Sequence, residues 1–567
     1  MLATSTPAFR SFLCRNSCRI PVAFLVPALF FFRHFSTNLA SNDRYEDLFK
    51  FTSGRWIHNE KKELEKSYHR LNVDALKRIA ASSAGANSVS DIKKLTESEF
   101  HKDFLLSLDN GKEVIARLPL PNAAPPYLIA ANQVASMDFA RTRLHIPTPH
   151  VLAWSSDVSE NAVESDFLIT EKPEGIELGT IWNAMDSDMK RRVAQKIVEV
   201  EKSYMAALDG GFGAVYRRGD VESSIAFDLT VDCVRDDEFV LGPVTSPSFW
   251  NEERADMEVN RGPWETPLDY IFSVVNRERS WIYYHTAANE YPSPFDAPPS
   301  KRHPDAHVAA LEMLIKVAPY LVPSDPVLTR PTLCHPYLDL EHVFISKDRL
   351  DRGEIEITSI TDWQHASVLP LYIAARVPPF LRREGVPPLP IDPPPRIPNP
   401  NERRQNVVYD ESADRLYTSL SRVSNPLYHK ALHFTERDVL LAPFAYGSIT
   451  WPDHLVAFRE ALLNLTDQWP SLYPDTPCPI SFTDEERSNR HADRIEWERY
   501  RAMARGVDAQ VGVESGRVSA EGYDAALARN KAYMDAYIHE LEQEMPEQAA
   551  MAKSVVPTFW IYRPWDS

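Results

Sequence analysis

The chain has 567 residues, of which 44% are hydrophobic and 25% are charged, so it is long enough for several domains and has the composition of an ordinary folded protein. Its net charge of −18 would repel a phosphate backbone, so nucleic acid is not an expected partner. The five cysteines lack the paired spacing of a disulfide framework or a zinc site, which is typical of a reducing compartment.

Residues 1–35 have the composition of a mitochondrial presequence. They are rich in Ser, Thr and Ala, and their basic residues, all before the first acidic residue Asp43, are Arg10, Arg15, Arg19 and Arg33. The apolar run 21–32 could be a signal-peptide core instead, but no small-x-small cleavage site follows it. A spanning helix needs about 20 apolar residues, so no transmembrane segment is predicted. We expect the protein in the mitochondrial matrix.

The next part of the chain is predicted to be mixed α and β. The predicted elements are a helix over 72–84, strands over 104–108 and 114–118, a helix over 128–143 and a strand over 167–170. The two middle strands form a hairpin, because the Asn110-Gly111 dipeptide between them accepts the positive φ angles of a tight turn. The chain after residue 173 is expected to be mainly helical, so the β-rich part would be N-terminal.

The C-terminal half contains segments with the hydrophobic periodicity of helices and one proline-rich segment. Residues 308–321, 455–465 and 534–541 have the one-face spacing of core-packed helices, and the charged run 484–505 predicts a solvated helix. Residues 378–400 contain ten prolines and are predicted to be a loop or polyproline segment, either a lid or a connector.

One glycine-rich stretch imitates a kinase phosphate loop. It reads Gly-Gly-Phe-Gly-Ala-Val-Tyr over residues 210–216, but the strand that should follow such a loop, with the wording Val-Ala-Ile-Lys, is absent downstream. A turn or hairpin is the preferred interpretation.

The candidate chemistry lies between residues 333 and 370. Residues 333–345 read L-C-H-P-Y-L-D-L-E-H-V-F-I, and after a predicted hairpin around Arg352-Gly353 comes I-T-D-W-Q-H at 360–365. This pattern resembles the aminoglycoside phosphotransferase and choline kinase branch of the protein-kinase-like fold, which has H-x-D-x-x-x-x-N, a strand pair and apolar-x-D-W. The resemblance implies a bilobal α+β fold with a small β-rich N-lobe and a larger helical C-lobe, and it implies ATP and magnesium as cofactors.

Four longer segments indicate a resemblance to one particular family. They read V-I-A-R-L-P at 114–119, M-D-F-A-R at 137–141, R-P-T-L-x-H-P at 330–336 and T-D-W-Q-H-A-S-V-L-P at 361–370. Over about residues 45–545 the chain is similar to the fungal family called altered inheritance of mitochondria protein 9, which agrees with the presequence. The implied divisions are the presequence 1–35, a helical lead-in 36–90, an N-lobe 91–173, a C-lobe 174–480 that contains the proline-rich insertion 378–400, and a charged helical extension 481–567.

The chain departs from the kinase-like pattern at the catalytic loop. Tyr337 stands where the resemblance places the catalytic Asp, and His342 stands where it places the magnesium-binding Asn. A tyrosine, with a pKa of about 10, does not accept a proton at neutral pH as a carboxylate does, and histidine is a poor ligand for magnesium. Only Asp362 matches a metal-binding position. Asp339 is a candidate displaced base, and His335 is expected to pack within the loop.

The nucleotide-binding positions of the N-lobe depart as well. Arg117 stands at the position of the lysine that holds the α and β phosphates, and Gln133 stands at that of its glutamate partner. The expected phosphate-covering loop, residues 97–102, has no glycine, and Glu97 and Glu99 would repel phosphate. We therefore expect ATP and magnesium binding to be weak or lost.

Two functions remain open at this point. The first is a catalytically degenerate phosphotransferase relative that acts as a binding or scaffold protein in mitochondrial maintenance, with an unknown protein or small-molecule partner. The second is an active ATP-dependent small-molecule phosphotransferase that uses Arg117, Asp339 and Asp362 in altered roles. The sequence identifies neither an acceptor substrate nor an oligomeric state.

The presequence generates the first testable prediction. The acid-free segment ends at Arg33-His34-Phe35, which resembles a matrix-processing site, so we expect the mature chain to start near Ser36. N-terminal sequencing of the protein from isolated mitochondria measures this. An intact Met1, or membrane association that resists carbonate extraction, would contradict it.

Overall fold

The computed structural model describes residues 43–98, 100–120, 126–286, 303–382, 410–513 and 516–544, with residues 546, 553, 560 and 562. The predicted presequence 1–35 and residues 383–400 of the proline-rich insertion lie outside the described residues. Contacts divide the chain into a unit of residues 1–46 and a unit of residues 47–567. Within the described ranges, no helix combines the length and the apolar character needed to cross a membrane.

The described residues form sixteen strands and seventeen α-helices. The strands are β1 (Arg55–Trp56), β2 (Val89–Glu97), β3 (His101–Leu108), β4 (Glu113–Pro119), β5 (Val151–Ser155), β6 (Phe167–Glu171), β7 (Ile176–Glu177), β8 (Leu208–Asp209), β9 (Gly213–Arg217), β10 (Phe227–Val231), β11 (Val234–Gly242), β12 (Pro331–Leu333), β13 (Val343–Ile345), β14 (Ile357–Ile360), β15 (Ser367–Pro370) and β16 (Arg517–Val518). The helices are α1 (Glu46–Phe49), α2 (Glu60–Ser67), α3 (Val73–Ser83), α4 (Pro126–Thr142), α5 (Leu178–Ile181), α6 (Ser187–Ser203), α7 (Pro267–His285), α8 (Pro304–Val317), α9 (Pro326–Thr329), α10 (Lys347–Leu350), α11 (Leu371–Ala374), α12 (Glu411–Ser424), α13 (Pro426–His433), α14 (Arg437–Gly447), α15 (Leu455–Leu472), α16 (Asp484–Val511) and α17 (Tyr523–Glu544).

The N-lobe is an antiparallel sheet of five strands in the order β2-β3-β4-β6-β5, and α4 connects β4 to β5. The predicted hairpin is confirmed: β3 and β4 pair around the Asn110-Gly111 turn, where Gly111 has a φ of 80°. The predicted helix that starts at Asn72 is also confirmed, since the Asn72 side chain caps α3 by accepting a hydrogen bond from the Ala75 N–H. The larger region that follows contains α5–α15 and most of the hydrophobic core. The predicted bilobal α+β fold is thus confirmed.

The C-lobe holds a second sheet that the sequence analysis did not predict. Its six strands lie in the order β12-β15-β9-β11-β10-β8, so the expectation that the β-rich part is only N-terminal is wrong. The central strand β9 is almost wholly buried. Its apolar run is short and follows a glycine pair, so local periodicity could not separate it from a helical segment.

The glycine-rich stretch at 210–216 begins with the turn between β8 and β9, as interpreted from sequence, and its last four residues belong to β9. Gly210 has a φ of 118°, and a Cβ atom at this position would overlap the Asp228 carbonyl of β10. The glycine is therefore required for close contact between strands, which is a packing role.

The charged C-terminal extension contacts both the C-lobe and the lead-in segment. Helix α16 begins with a capping box in which Thr483 and Glu486 satisfy each other's backbone N–H groups. It lies against α15, where Arg490 donates to Glu460 at 2.7 Å. The chain then forms β16, which pairs with β1 of the lead-in segment. The predicted solvated helix is confirmed, because most of its side chains face solvent.

The turn geometry generates a stability prediction. Gly210→Ala should lower the free energy of unfolding by more than about 3 kcal/mol, because strain of the left-handed backbone adds to a steric clash with β10. Gly353→Ala is the matched control: its φ is 76°, but no heavy atom lies within 4 Å of an added Cβ, so only about 1 kcal/mol of backbone strain is expected. Urea unfolding of both variants measures the difference, and equal losses would contradict the packing role of Gly210.

Candidate functional site

A cavity of about 1630 Å³ lies between the N-lobe sheet and the C-lobe. Every residue singled out from the sequence as a candidate for catalysis, nucleotide binding or metal binding lines it: Arg117, Gln133, His335, Tyr337, Asp339, His342 and Asp362. The structure therefore brings these residues to one place, while the role of each remains a prediction.

Arg117 is the most constrained of these residues. The hairpin register places Asp103 of β3 directly opposite Arg117 of β4. The guanidinium donates to both carboxylate oxygens of Asp103, from Nε at 2.8 Å and from Nη2 at 2.9 Å. Its remaining nitrogen, Nη1, donates to Oδ1 of Asp362, which lies just after β14 in the C-lobe. One side chain thus links the two lobes through two carboxylates.

The charges of this cluster stabilise one another. Burial by itself would raise the pKa of Asp103, but the positive charge of Arg117 lowers it to about 2. Burial would also lower the pKa of Arg117, but Asp103 and Asp362 raise it above its ordinary value. At neutral pH Arg117 is therefore a cation and Asp103 is a carboxylate.

Asp362 is the one sequence match to a metal-binding carboxylate, and its oxygens are already engaged. Oδ1 accepts a hydrogen bond from Arg117, and Oδ2 lies 3.5 Å from Nε2 of His342. Among the described residues, no group of three or more His, Cys, Asp or Glu side chains is arranged to hold a metal ion. Magnesium prefers oxygen ligands in near-octahedral geometry, and this donor set, a carboxylate bound by arginine beside an imidazole, does not fit it.

His335 holds the catalytic-loop segment together. Its Nδ1 accepts a hydrogen bond from the Tyr337 N–H at 3.1 Å, so Nε2 carries the proton and donates to the Thr361 carbonyl at 2.7 Å. Burial lowers the pKa of His335 to about 4, which leaves the ring neutral at physiological pH. The imidazole therefore ties this segment to the strand end before Asp362.

Asp339 is only partly available for chemistry. Its Oδ1 accepts a hydrogen bond at 2.7 Å from the N–H of Leu340, the first residue of a 3₁₀ turn. Its side chain is half-buried and also lines the cavity. The carboxylate therefore caps its own turn at the place where the sequence analysis considered a displaced base.

Gln133 does not take the place of the missing glutamate as a partner of Arg117. It is 3% exposed on α4, and its Oε1 has no hydrogen-bond partner in the described part of the chain. The carboxylate partner is Asp103, from the neighbouring strand, which the sequence analysis missed. The hairpin register is the signal that could have identified it, because a tight turn at Asn110-Gly111 places residues near 103 opposite Arg117.

The segment that should cover nucleotide phosphates contains no glycine. Strand β2 ends at Glu97, and β3 begins at His101. Glu97 is buried and accepts hydrogen bonds from the lead-in segment, from the Thr52 N–H at 2.8 Å and the Ser53 hydroxyl at 2.9 Å. The expectation that Glu97 repels phosphate in the cleft is therefore wrong, because its carboxylate is used to anchor the lead-in. Glu99 lies outside the described residues.

Similar proteins occur in fungi. No family model matches the chain. A subtelomeric hrmA-associated cluster protein of Aspergillus fumigatus is 29% identical over 81% of this chain and 94% of its own length. Proteins named altered inheritance of mitochondria protein 9, mitochondrial, match at 23% identity in Yarrowia lipolytica, over 82% of this chain and 83% of that one, and at 22% in Eremothecium gossypii, over 80% and 85%. The predicted resemblance is confirmed.

Solved structures of phosphotransferases align with most of the chain at low scores. An aminoglycoside phosphotransferase in complex with GDP and kanamycin is 13% identical, with a TM-score of 0.32, and covers 70% of this chain and 98% of its own. A macrolide 2′-phosphotransferase from Brachybacterium faecium is 14% identical, with a TM-score of 0.32, and covers 71% and 99%. The conclusion on fold class rests on the strand order and lobes described above.

The arginine cluster generates a stability prediction. Arg117→Met should lower the free energy of unfolding by about 3–5 kcal/mol at pH 7.5, because two buried carboxylates lose their cation. Arg235→Met is the control: Arg235 pairs with Asp228 on the surface, where the loss should stay below about 1 kcal/mol.

The pH dependence of the same variants gives a second readout. In the wild type, the pKa of Asp103 is about 2 in the folded state. The stability from this carboxylate is therefore present above the unfolded pKa of about 3.9 and is lost as pH falls toward 2. In Arg117→Met the carboxylate pKa values should rise, so this variant should regain stability as pH falls. Urea unfolding at pH 5 and pH 7.5 measures this, and an equal deficit at both pH values would contradict it.

Proposed function

We propose that this protein works in mitochondria as a small-molecule or protein binding module on a phosphotransferase-like bilobal fold, and that it does not transfer phosphate. Two features support the location: the basic, acid-free segment 1–35, and relatives whose names describe them as mitochondrial. The same names support a role in mitochondrial inheritance or maintenance.

The hydrogen bond from Arg117 to Asp362 carries the proposal. Phosphoryl transfer in kinase-like enzymes depends mainly on positioning and on neutralisation of charge by metal ions. In this chain the matching carboxylate is neutralised by a protein cation, and that cation is itself held by both oxygens of Asp103. A nucleotide and its metal would have to break both contacts inside a buried site, which is costly.

The catalytic loop supports the same conclusion. Tyr337 occupies the position of the catalytic base, and a phenol with a pKa of about 10 is a weak proton acceptor at neutral pH. Asp339, two residues further on, uses one oxygen to cap a turn. A general base typically contributes about 10² to 10⁴ in rate, so its loss adds to the lost metal site.

The alternative, an active phosphotransferase with Asp339 as its base, draws support from one observation. Asp339 lines the same cavity as Arg117 and Asp362. In that case the enzyme would consume ATP, and the activity would disappear in Asp339→Ala.

The proposal predicts the outcome of a nucleotide titration. Calorimetry of the wild type with ATP, with and without magnesium, should show no metal-dependent binding in the low-micromolar range, and ATP consumption should stay at background. Robust turnover would refute the proposal, and turnover lost in Asp339→Ala but kept in the surface control Asp348→Ala would establish the alternative.

A repair series gives a stricter test of which contact matters. The double variant Tyr337→Asp/His342→Asn restores the Asp and Asn of the kinase-like motif but keeps the hydrogen bond from Arg117 to Asp362. We therefore expect it to show no magnesium-dependent thermal shift with ATP. Adding Arg117→Lys and Gln133→Glu supplies the usual lysine–glutamate pair and draws the cation away from Asp362, so this quadruple variant should gain a magnesium-dependent shift. A gain in the double variant would show that Arg117 does not block the site.

A further inference from the structure

Helix α13 carries two histidines on one face. His429 and His433 are four residues apart, a spacing that makes their side chains neighbours on the helix surface. The centroids of the two imidazole rings are 4.5 Å apart, with an angle of 43° between the ring planes. His429 is half-buried and His433 is exposed, so solvent reaches the pair.

The fold does not use these two imidazoles for other contacts. In the described part of the chain, neither ring forms a hydrogen bond or an ion pair. The buried histidines of the cleft differ, because His335 makes two hydrogen bonds and His365 lies 3.2 Å from the Thr245 hydroxyl. The nitrogen atoms of His429 and His433 are therefore available to a ligand.

Both rings are neutral at neutral pH. Burial lowers the pKa of His429, and the charge of Arg422 lowers it further. Burial also lowers the pKa of His433, and so do His429 and Arg437. Asp414 of α12 raises the pKa of His433, so an acidic group lies near the pair as well. A neutral imidazole is the form in which a ring nitrogen offers its lone pair to a metal ion.

The backbone beneath the two rings is anchored on the cavity side of α13. The Tyr428 hydroxyl accepts a hydrogen bond from the Arg376 N–H at 3.1 Å and donates one to the Arg376 carbonyl at 3.0 Å. Arg437 donates from Nε to the Ala431 carbonyl at 3.1 Å. Tyr428 and Leu432 line the cavity. The helix that carries the histidines is therefore also part of the cavity wall.

The geometry of the pair fits one metal ion. Imidazole is a preferred ligand of zinc and of other late first-row divalent metal ions. Two histidines at i and i+4 on one helix are a spacing that holds zinc through two nitrogen atoms. Zinc–nitrogen distances of about 2.0–2.1 Å in tetrahedral geometry require the two nitrogens to be roughly 3.3 Å apart. Rings whose centroids are 4.5 Å apart reach this separation by side-chain rotation.

We propose that His429 and His433 form a binding site for a late first-row divalent metal ion, of which zinc is the example, with water at its remaining positions. Two protein ligands are fewer than the four of a closed structural zinc site, so the ion would exchange with solution. A metal that joins positions i and i+4 would stabilise α13, an eight-residue helix without a side-chain N-cap. The proposal is independent of the proposed function, because no nucleotide-binding position takes part in it.

The test uses the full chain without a histidine tag, titrated with zinc chloride and separately with magnesium chloride. Calorimetry should show zinc binding, and zinc should raise the temperature of thermal unfolding. His429→Ala and His433→Ala should each weaken the zinc affinity tenfold or more, because loss of even an outer-shell partner costs about 10–100-fold. His150→Ala is the matched control, since it removes an exposed histidine just before β5 and should leave the affinity unchanged.

The outcomes decide the site without the ATP assay. Zinc binding that both α13 variants weaken, and that His150→Ala leaves unchanged, supports the site. No zinc binding by the wild type, or unchanged affinity in either α13 variant, overturns it. A magnesium affinity equal to that for zinc, and weakened by the same variants, would also overturn it, because magnesium prefers oxygen ligands.

A chemical readout on the wild type covers the case in which a variant does not fold. Diethyl pyrocarbonate modifies accessible neutral imidazoles, and peptide mass spectrometry locates each modified residue. Zinc should slow the modification of His429 and His433 but not that of His150. Equal rates with and without zinc would overturn the site.

Discussion

A single guanidinium, that of Arg117, is hydrogen-bonded to carboxylates from both lobes. Asp103 lies beside it on the N-lobe sheet, and Asp362 lies in the loop that follows β14 of the C-lobe. Because all three side chains are largely buried, removing the guanidinium would leave two carboxylates without their cation in a region that water does not reach freely. The cluster therefore links the two lobes by hydrogen bonds, and all three of its residues line the cavity.

The cluster is also the basis of the proposal that this phosphotransferase-like fold does not transfer phosphate. In such enzymes a cation and a carboxylate at these two positions contact the nucleotide and its metal. Here they contact each other, so the site is satisfied without a ligand. Around it, His335 fixes the catalytic-loop segment and Asp339 caps a turn, which are structural uses of residue types that elsewhere do chemistry.

The C-terminal extension and the lead-in segment form further contacts with both lobes. Helix α16 lies on α15 of the C-lobe, and the strand that follows it, β16, pairs with β1 of the lead-in. The lead-in in turn donates hydrogen bonds to Glu97 at the end of β2. The C-terminal extension therefore connects the C-lobe with the edge of the N-lobe sheet.

The sequence by itself determined the elements whose signals are local, and it identified the segment that lines the cavity. The Asn110-Gly111 hairpin, the helix capped by Asn72 and the charged helix after Thr483 each carry their own turn or cap residues. The sequence also shows a tyrosine, Tyr337, at the position where the resemblance places the catalytic Asp. Only the tertiary structure determined which distant segments pair with each other. The six-stranded C-lobe sheet joins strands far apart in the chain, and the Arg117–Asp362 contact joins residues 245 positions apart. Pairings at such separations depend on packing of the whole core, since no local preference specifies them.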